Sequence, residues 1–271
     1  MTKSILTTHV GSLPRSQKVV DLIFAKENKQ DFCQQEFDQV MSAHVDNCVD
    51  KQLQAGIDIV SDGETSKISY ATYVKDRYTG FSGDSERNAP SDLKLFPDFL
   101  EQLAKSGGTP QYKRPMCTGD VKVLDQSDLH KDINNLTQAV TANNAKQGFM
   151  NAASPGVISL FLQNQYYPTR EKYLAVLAEV MREEYQAIID AGLHLQLDCP
   201  DLALSRHMLF NDLTDEEFIK VANQNVEALN YALEGIDPSK LRVHICWGNY
   251  EGPHVCDIEM KKMFNTLMSV N

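Results

Sequence analysis

His244 and Cys246 stand two residues apart in the stretch Arg-Val-His-Ile-Cys-Trp. On a β-strand that spacing puts both side chains on one face. An imidazole nitrogen and a thiolate sulfur are both good zinc ligands, so the pair can form half of a tetrahedral site. The same two residues also suit an ordinary core strand, because buried cysteine is common. Gly248 and Asn249 follow directly and mark a shaped loop at the strand's end, which favours the metal reading. Three other stretches concentrate polar groups: His9 to Arg15, Asp62 to Glu64, and Asp198 to Asp201. Asp198 lies in an apolar run, where an unpaired acid is costly, so a functional or ion-paired role is expected. Glu64 follows the turn pair Asp62-Gly63 and is either a working or a solvated carboxylate. Ser12, before Leu-Pro, is either a ligand or a turn residue. Arg15 either contacts a substrate carboxylate or caps its own loop.

The elements that must position these groups alternate. Apolar runs at 4–10, 57–64, 113–124, 193–203 and 241–247 read as strands, and the run 148–160 begins with one. Between them lie helical patterns, clearest at 35–56, 169–192, 214–235 and 257–270. Thr214 followed by Glu217 is a capping pattern, Thr169 opens its helix, and Gly56 and Gly192 close theirs. Six strand–helix units in one direction imply a parallel sheet with helices outside. An open doubly wound sheet and an eight-stranded barrel both fit. Neither a glycine-rich dinucleotide fingerprint nor a phosphate-cradling loop is present, which weakens the nucleotide-binding version. In a barrel the four polar stretches would converge on one rim. Residues 82–92 read as a polar surface loop that could cover the site.

A formal net charge of -11 argues against nucleic acid or an anionic membrane surface as partner. No run of 18 apolar residues suggests a membrane span, and the first residues lack a signal-peptide core. The six cysteines are dispersed, which predicts reduced thiols in a cytoplasmic setting.

Four ordered motifs, TTHVGSLPR, DGE, LQLDCPD and HICWGN, resemble the catalytic domain of the cobalamin-independent methionine synthase family, in its short single-domain branch. The resemblance runs from Thr7 to the end of the chain. It implies a TIM-type (β/α)8 barrel, a Zn2+ cofactor, and methyl transfer to homocysteine to give methionine. It further implies that His244 and Cys246 are zinc ligands, that the Ser12 loop holds the amino-acid carboxylate, and that Glu64 and Asp198 hold the ammonium group. That division suits a zwitterion, which needs donors at one end and acceptors at the other. Trp247 and Tyr250 could pack beside a pterin or seal the barrel end. The methyl donor would be a methyl folate or a methylated corrinoid. The family often has Asp-Glu-Pro where this chain has Asp198-Cys199-Pro200, which leaves the second acid's role unfilled or changed.

Six strands fall short of eight. The family's remaining zinc ligands, a Glu and a Cys, belong to the seventh and eighth strands, beyond Asn271. His254, Cys256, Glu251 and Glu259 do not match those positions. The expectation is therefore a single catalytic barrel domain over residues 1–271 lacking the final strands, with a homo-oligomer or a completing chain covering the open edges. A related zinc-dependent thiol alkyltransferase, or an amino-acid-binding pseudoenzyme, are the alternatives.

Overall fold

A computed structural model describes residues 5–85, 91–105, 114–248 and 252–271. Thr7 and Thr8 run beside residues 58–59: Asp58 and Ile59 both donate their N–H to the Thr7 carbonyl, and Thr8 bridges Ile59 in parallel. Ser16 then caps α1 (Gln17–Glu27), its hydroxyl accepting from the Val19 N–H. In α2 (Gln34–Gln54) Phe37, Met41, Val45, Cys48 and Val49 make one buried face. Gly56 turns the chain out of it at φ +82, where a side chain would be strained. The chain passes directly into β1 (Ile59–Val60).

An excursion follows, built from β2 (Phe81–Ser82), α3 (Ser91–Leu95), α4 (Pro97–Lys105) and β3 (Met116–Cys117). β2 and β3 pair with each other, antiparallel. The run 113–124 thus does not join the parallel sheet as the sequence suggests. Pro115 has no N–H to donate and Gly119 follows two residues after Cys117, so the ladder with β2 is limited to Met116 and Cys117.

After α5 (Ser127–Ala142) come β4 (Gln147–Ala153), α6 (Pro155–Phe161), α7 (Arg170–Asp190), β5 (His194–Asp198), α8 (Ser205–Met208), α9 (Asp215–Ala232), β6 (Leu241–His244) and α10 (Met260–Leu267). β4 opens the run 148–160, as the sequence suggests. Ser154 accepts from the Val157 N–H and Pro155 takes the first helical position, so the apolar tail of that run is helix. Thr169 caps α7, and Thr214 with Glu217 forms a full capping box on α9, both as the sequence predicts.

The parallel sheet has the order β1-β4-β5-β6, with Thr8 extending it beyond β1. β4 is buried along nearly its whole length, as a strand covered on both faces must be. α7 and α9 pack outside through Leu177, Met181, Tyr185, Phe218, Ala222 and Val226. Tyr185 donates its hydroxyl to the Ala153 carbonyl at 2.7 Å, fixing α7 to the end of β4. Arg77, in the excursion, donates to Glu184 of α7 at 2.6 Å with both side chains buried.

The inner face of the sheet is polar. Cross-strand register sets Asn151 beside Gln196 and Gln196 beside Arg242, with Asp198 beside His244 one step further along. Arg242 lies over the Phe149 ring, 3.4 Å from its centroid, and donates to Gln196 Oε1 at 2.9 Å. Its Nη1 reaches across to Thr8 Oγ1 at 2.8 Å, a contact 234 residues apart in sequence. Nη2 donates to the His9 carbonyl at 3.3 Å.

Candidate functional site

The turn after β1 places the first acid. Asp62 accepts the Glu64 N–H at 2.9 Å, and Glu64 takes a left-handed φ of 55. That conformation is uncommon for a residue with a side chain, and such strain concentrates at functional sites. Arg15 holds the turn rigid: its guanidinium donates to the carbonyls of Glu64 (2.6 Å), Lys67 (2.7 Å) and Thr65 (3.1 Å). It is therefore the clamp of the two alternatives open in sequence. His9 folds back on the Gly11 carbonyl at 2.7 Å.

Ser12, Glu64 and Asp198 come together in one hydrogen-bonded chain. Ser12 Oγ donates to Glu64 Oε2 at 2.9 Å. The Asn151 amide spends one hydrogen on Glu64 Oε1 at 3.0 Å and the other on Asp198 Oδ2 at 2.8 Å. Gln196 donates to Asp198 Oδ1 at 2.8 Å. Both acids are buried, and burial pushes both carboxyls above their ordinary range. Lys67 and Ser12 oppose the shift at Glu64; Asn151, Gln196 and His244 oppose it at Asp198. Lys67 is itself buried and donates to the carbonyl and the side-chain oxygen of Asn151, at 3.0 and 3.1 Å. Tyr70 sits in the field of Asp198, Cys246 and Glu64, and burial raises its phenol.

Asn151, Gln196 and Lys67 were missing from the residues picked out by sequence. The signal was there for the first two: an amide inside FMNAA or HLQLD is as conspicuous as the acid beside it. Lys67, three residues past a turn, carries no such mark.

His244 ends β6 as the cross-strand partner of Asp198, and Cys246 follows with its Sγ accepting the Gly248 N–H at 3.2 Å. Backbone bonds from Cys199 to the His244 carbonyl and from Leu204 to the Cys246 carbonyl lock this segment to the turn after β5. The donor types fit zinc. Among the described residues no group of three or more His, Cys, Asp or Glu includes either of them. Trp247 donates its Nε1–H to the Ile258 carbonyl at 2.9 Å and packs on the core, so it seals the strand's end. Tyr250 and Glu251 lie outside the described residues, as do 86–90 of the polar loop. Asp92, at the end of that loop, is fully buried. His207 and Asp257 gather with it, Cys256 hydrogen-bonds to it, His254 reaches Asp257, and His244 and Cys246 are not part of that group.

Asp198 and Asp201 serve different environments. Asp201 turns towards α6 and α9, where Ser154 Oγ (2.6 Å) and Asn225 Nδ2 (2.9 Å) bond its two oxygens. A Cβ on Gly156 would meet Asp201 Oδ2 at 2.0 Å, so only glycine admits the acid there. Cys199, where the family often has Glu, is wholly buried, and burial raises its thiol. It takes no acid's place.

Burial lifts the Asp201 carboxyl to about 6, against the lowering by Ser154, Asn225 and Arg170. The folded chain thus keeps a proton that the unfolded chain has lost. The stability this confers is complete below the unfolded value of 3.8 and is lost as pH rises through about 6. The loss is on the order of 3 kcal/mol. Asp201→Asn cannot titrate, so the variant's stability relative to wild type should rise by that amount between pH 4 and pH 7 in denaturant titrations. A difference that stays flat across this range would contradict the assignment.

Comparison with known proteins extends the geometry. The family model described as "Cobalamin-independent synthase, Catalytic domain" matches residues 5–252. A protein of Sulfolobus acidocaldarius named methionine synthase is 23% identical over 280 residues, covering 98% of this chain and 68% of that protein. A Bacillus velezensis 5-methyltetrahydropteroyltriglutamate–homocysteine methyltransferase is 22% identical over 250 residues, 90% of this chain and 29% of its own length. Among solved structures, a B12-independent methionine synthase from Shewanella sp. W3-18-1, in complex with selenomethionine, aligns with a TM-score of 0.63 at 21% identity, covering 91% of this chain and 63% of that one. A putative vitamin-B12 independent methionine synthase from Listeria monocytogenes gives 0.63 at 19% identity, covering 91% and 68%. These likenesses establish the TIM-type fold. The chain spans 63% to 68% of the length of the first relatives it matches.

Proposed function

The chain belongs to the family of cobalamin-independent methionine synthase catalytic domains, and from that premise we propose that it transfers a methyl group to the thiol of homocysteine, with a methyl folate or methylated corrinoid as donor. The observation that carries the reading is the linked set Ser12–Glu64–Asn151–Asp198, which ends beside His244.

The residues divide the work. Asn151 lets two buried acids stay close by giving a hydrogen to each, and Lys67 offsets part of their charge. Two carboxylates against one ammonium leave a negative charge that the substrate's ammonium group would balance. With the Ser12 hydroxyl given to Glu64, the backbone N–H groups of Gly11 and Ser12 would meet its carboxylate. His244 and Cys246 would hold Zn2+, which supplies a thiolate near neutral pH when the substrate sulfur binds it. The rigid clamp of Arg15 on residues 64–67 keeps the ammonium acceptors aligned with that sulfur.

Glu64→Gln tests the assignment of the acids. It keeps the shape and removes the charge, so the KM for homocysteine should rise by about 10- to 100-fold, the worth of a charged hydrogen bond. Zinc content should be unchanged. An unaltered KM in a folded variant would remove Glu64 from the substrate site.

A further inference from the structure

We propose that Asp92, His207 and Asp257, with His254 beside them, form a second divalent-cation site, separate from the His244–Cys246 pair. One ligand atom from each of Asp92, His207 and Asp257 lies within 4.8 Å of the others. Asp92 Oδ2 is 3.3 Å from His207 Nδ1, and His207 Nε2 is 4.0 Å from Asp257 Oδ1. Asp257 Oδ2 is 3.1 Å from His254 Nδ1. Donors about 2.0–2.2 Å from a common ion stand roughly 3–3.6 Å apart, so a small contraction would complete the set. The donors come from three separate segments: α3, α8, and the loop before α10. Chance proximity within one turn does not explain their meeting.

The surroundings orient the donors as outer partners of a metal site do. Asp92 Oδ1 accepts the N–H groups of Val255 (2.6 Å) and Cys256 (2.7 Å), which fixes the carboxylate with Oδ2 on the His207 side. His207 Nε2 lies 3.3 Å from the Trp247 carbonyl; in the tautomer that donates its Nε2–H there, Nδ1 faces Asp92 Oδ2 as a ligand atom. The Asp92 and His207 side chains are fully buried, whereas Asp257 and His254 keep some exposure, 24% and 29%, on the side an ion would enter. Imidazole with carboxylate selects the first-row divalent ions, such as Mn2+, Co2+, Ni2+ or Zn2+, over Ca2+ and Mg2+, which favour oxygen alone. A bound ion would tie the excursion to the loop behind β6.

The test uses the full chain carrying His244→Ala and Cys246→Ser, so that failure of the first site and of this one are separable. The metal-stripped protein is titrated with Co2+ alone. Bound metal is counted after gel filtration, and the fluorescence of Trp247, the chain's one tryptophan, is followed. Trp247 is the reporter because its carbonyl meets His207 and its indole bonds Ile258, next to Asp257. The expected result is one Co2+ per chain, quenched Trp247 emission, and no thiolate-to-cobalt charge-transfer band. Adding Asp257→Asn or His254→Ala should weaken Co2+ binding at least about tenfold. Both side chains are partly exposed, so these variants should fold. No Co2+ retained by the starting variant, or retention indifferent to Asp257→Asn, overturns the proposal and leaves the cluster as a clasp of the His207 ring between two carboxylates.

Discussion

Replacing Cys246 by serine is expected to strip zinc from the first site and to lower the rate of methyl transfer by about 10^3-fold or more. A hydroxyl at this position remains protonated at neutral pH and is a poor ligand where a thiolate binds well. The Gly248 N–H that now meets Sγ would find an oxygen instead, so the loop should keep its shape. The loss therefore falls on the metal and on the activation of the substrate sulfur, which is worth several kcal/mol of barrier. His244→Ala should act in the same direction. Cys33→Ser is the control, because that thiol is exposed and far along the chain. Metal analysis of each purified variant, beside a methionine-formation assay, reads both effects. Full zinc occupancy in both Cys246→Ser and His244→Ala would end the metal assignment of β6.

Glu184→Ala should cost about 3–5 kcal/mol of stability, the largest effect expected outside the site. Removing one partner of a buried ion pair leaves the other charged and unsolvated. Arg77 is such a partner: it is buried, donates to Glu184 at 2.6 Å and to Gln126 at 2.7 Å, and stacks 4.1 Å from the Tyr73 ring centroid. Burial works against its charge, and Glu184 together with Tyr73 and Tyr78 more than compensates, so its pKa is raised. The pair fastens the excursion to α7, so the variant should also lose cooperativity in denaturant unfolding. Removing both charges, as Arg77→Met with Glu184→Leu, should recover most of the loss. A single-variant cost below about 1 kcal/mol would mean that water already reaches the pair.

The features legible in the sequence were those with a local physical signature. Thr214 and Glu217 announce a helix start because each satisfies a backbone group of the other, and the structure has that box. Asp198 stood out because an acid in an apolar run must be explained, and it lies in a polar network. One error came from reading an apolar run without its punctuation. The run 113–124 contains Pro115 and Gly119, and its ladder with β2 is limited to Met116 and Cys117. What was not legible depends on the tertiary meeting of distant segments. Nothing near Asp92 says that it will be buried against His207, 115 positions on by sequence number (207 less 92), or accept the amides of residues 255 and 256. Lys67 likewise acquires its place only when β4 brings Asn151 to it.

The reach of Arg242 to Thr8 and His9 has a consequence for how a ribosome delivers this protein. Residues 58–64 emerge early and can dock the amino-terminal stretch from one side at once, through Thr7, Thr8 and Ser12. The opposite wall arrives only with Leu241–His244. Closing so long a loop adds little free energy, since each doubling of length costs only about 0.6 kcal/mol, but it delays the event. A nascent chain halted before Leu241 would carry both acids yet lack Arg242, His244 and Cys246 together. The wall that carries Arg242, His244 and Cys246 is thus added in one late step of translation.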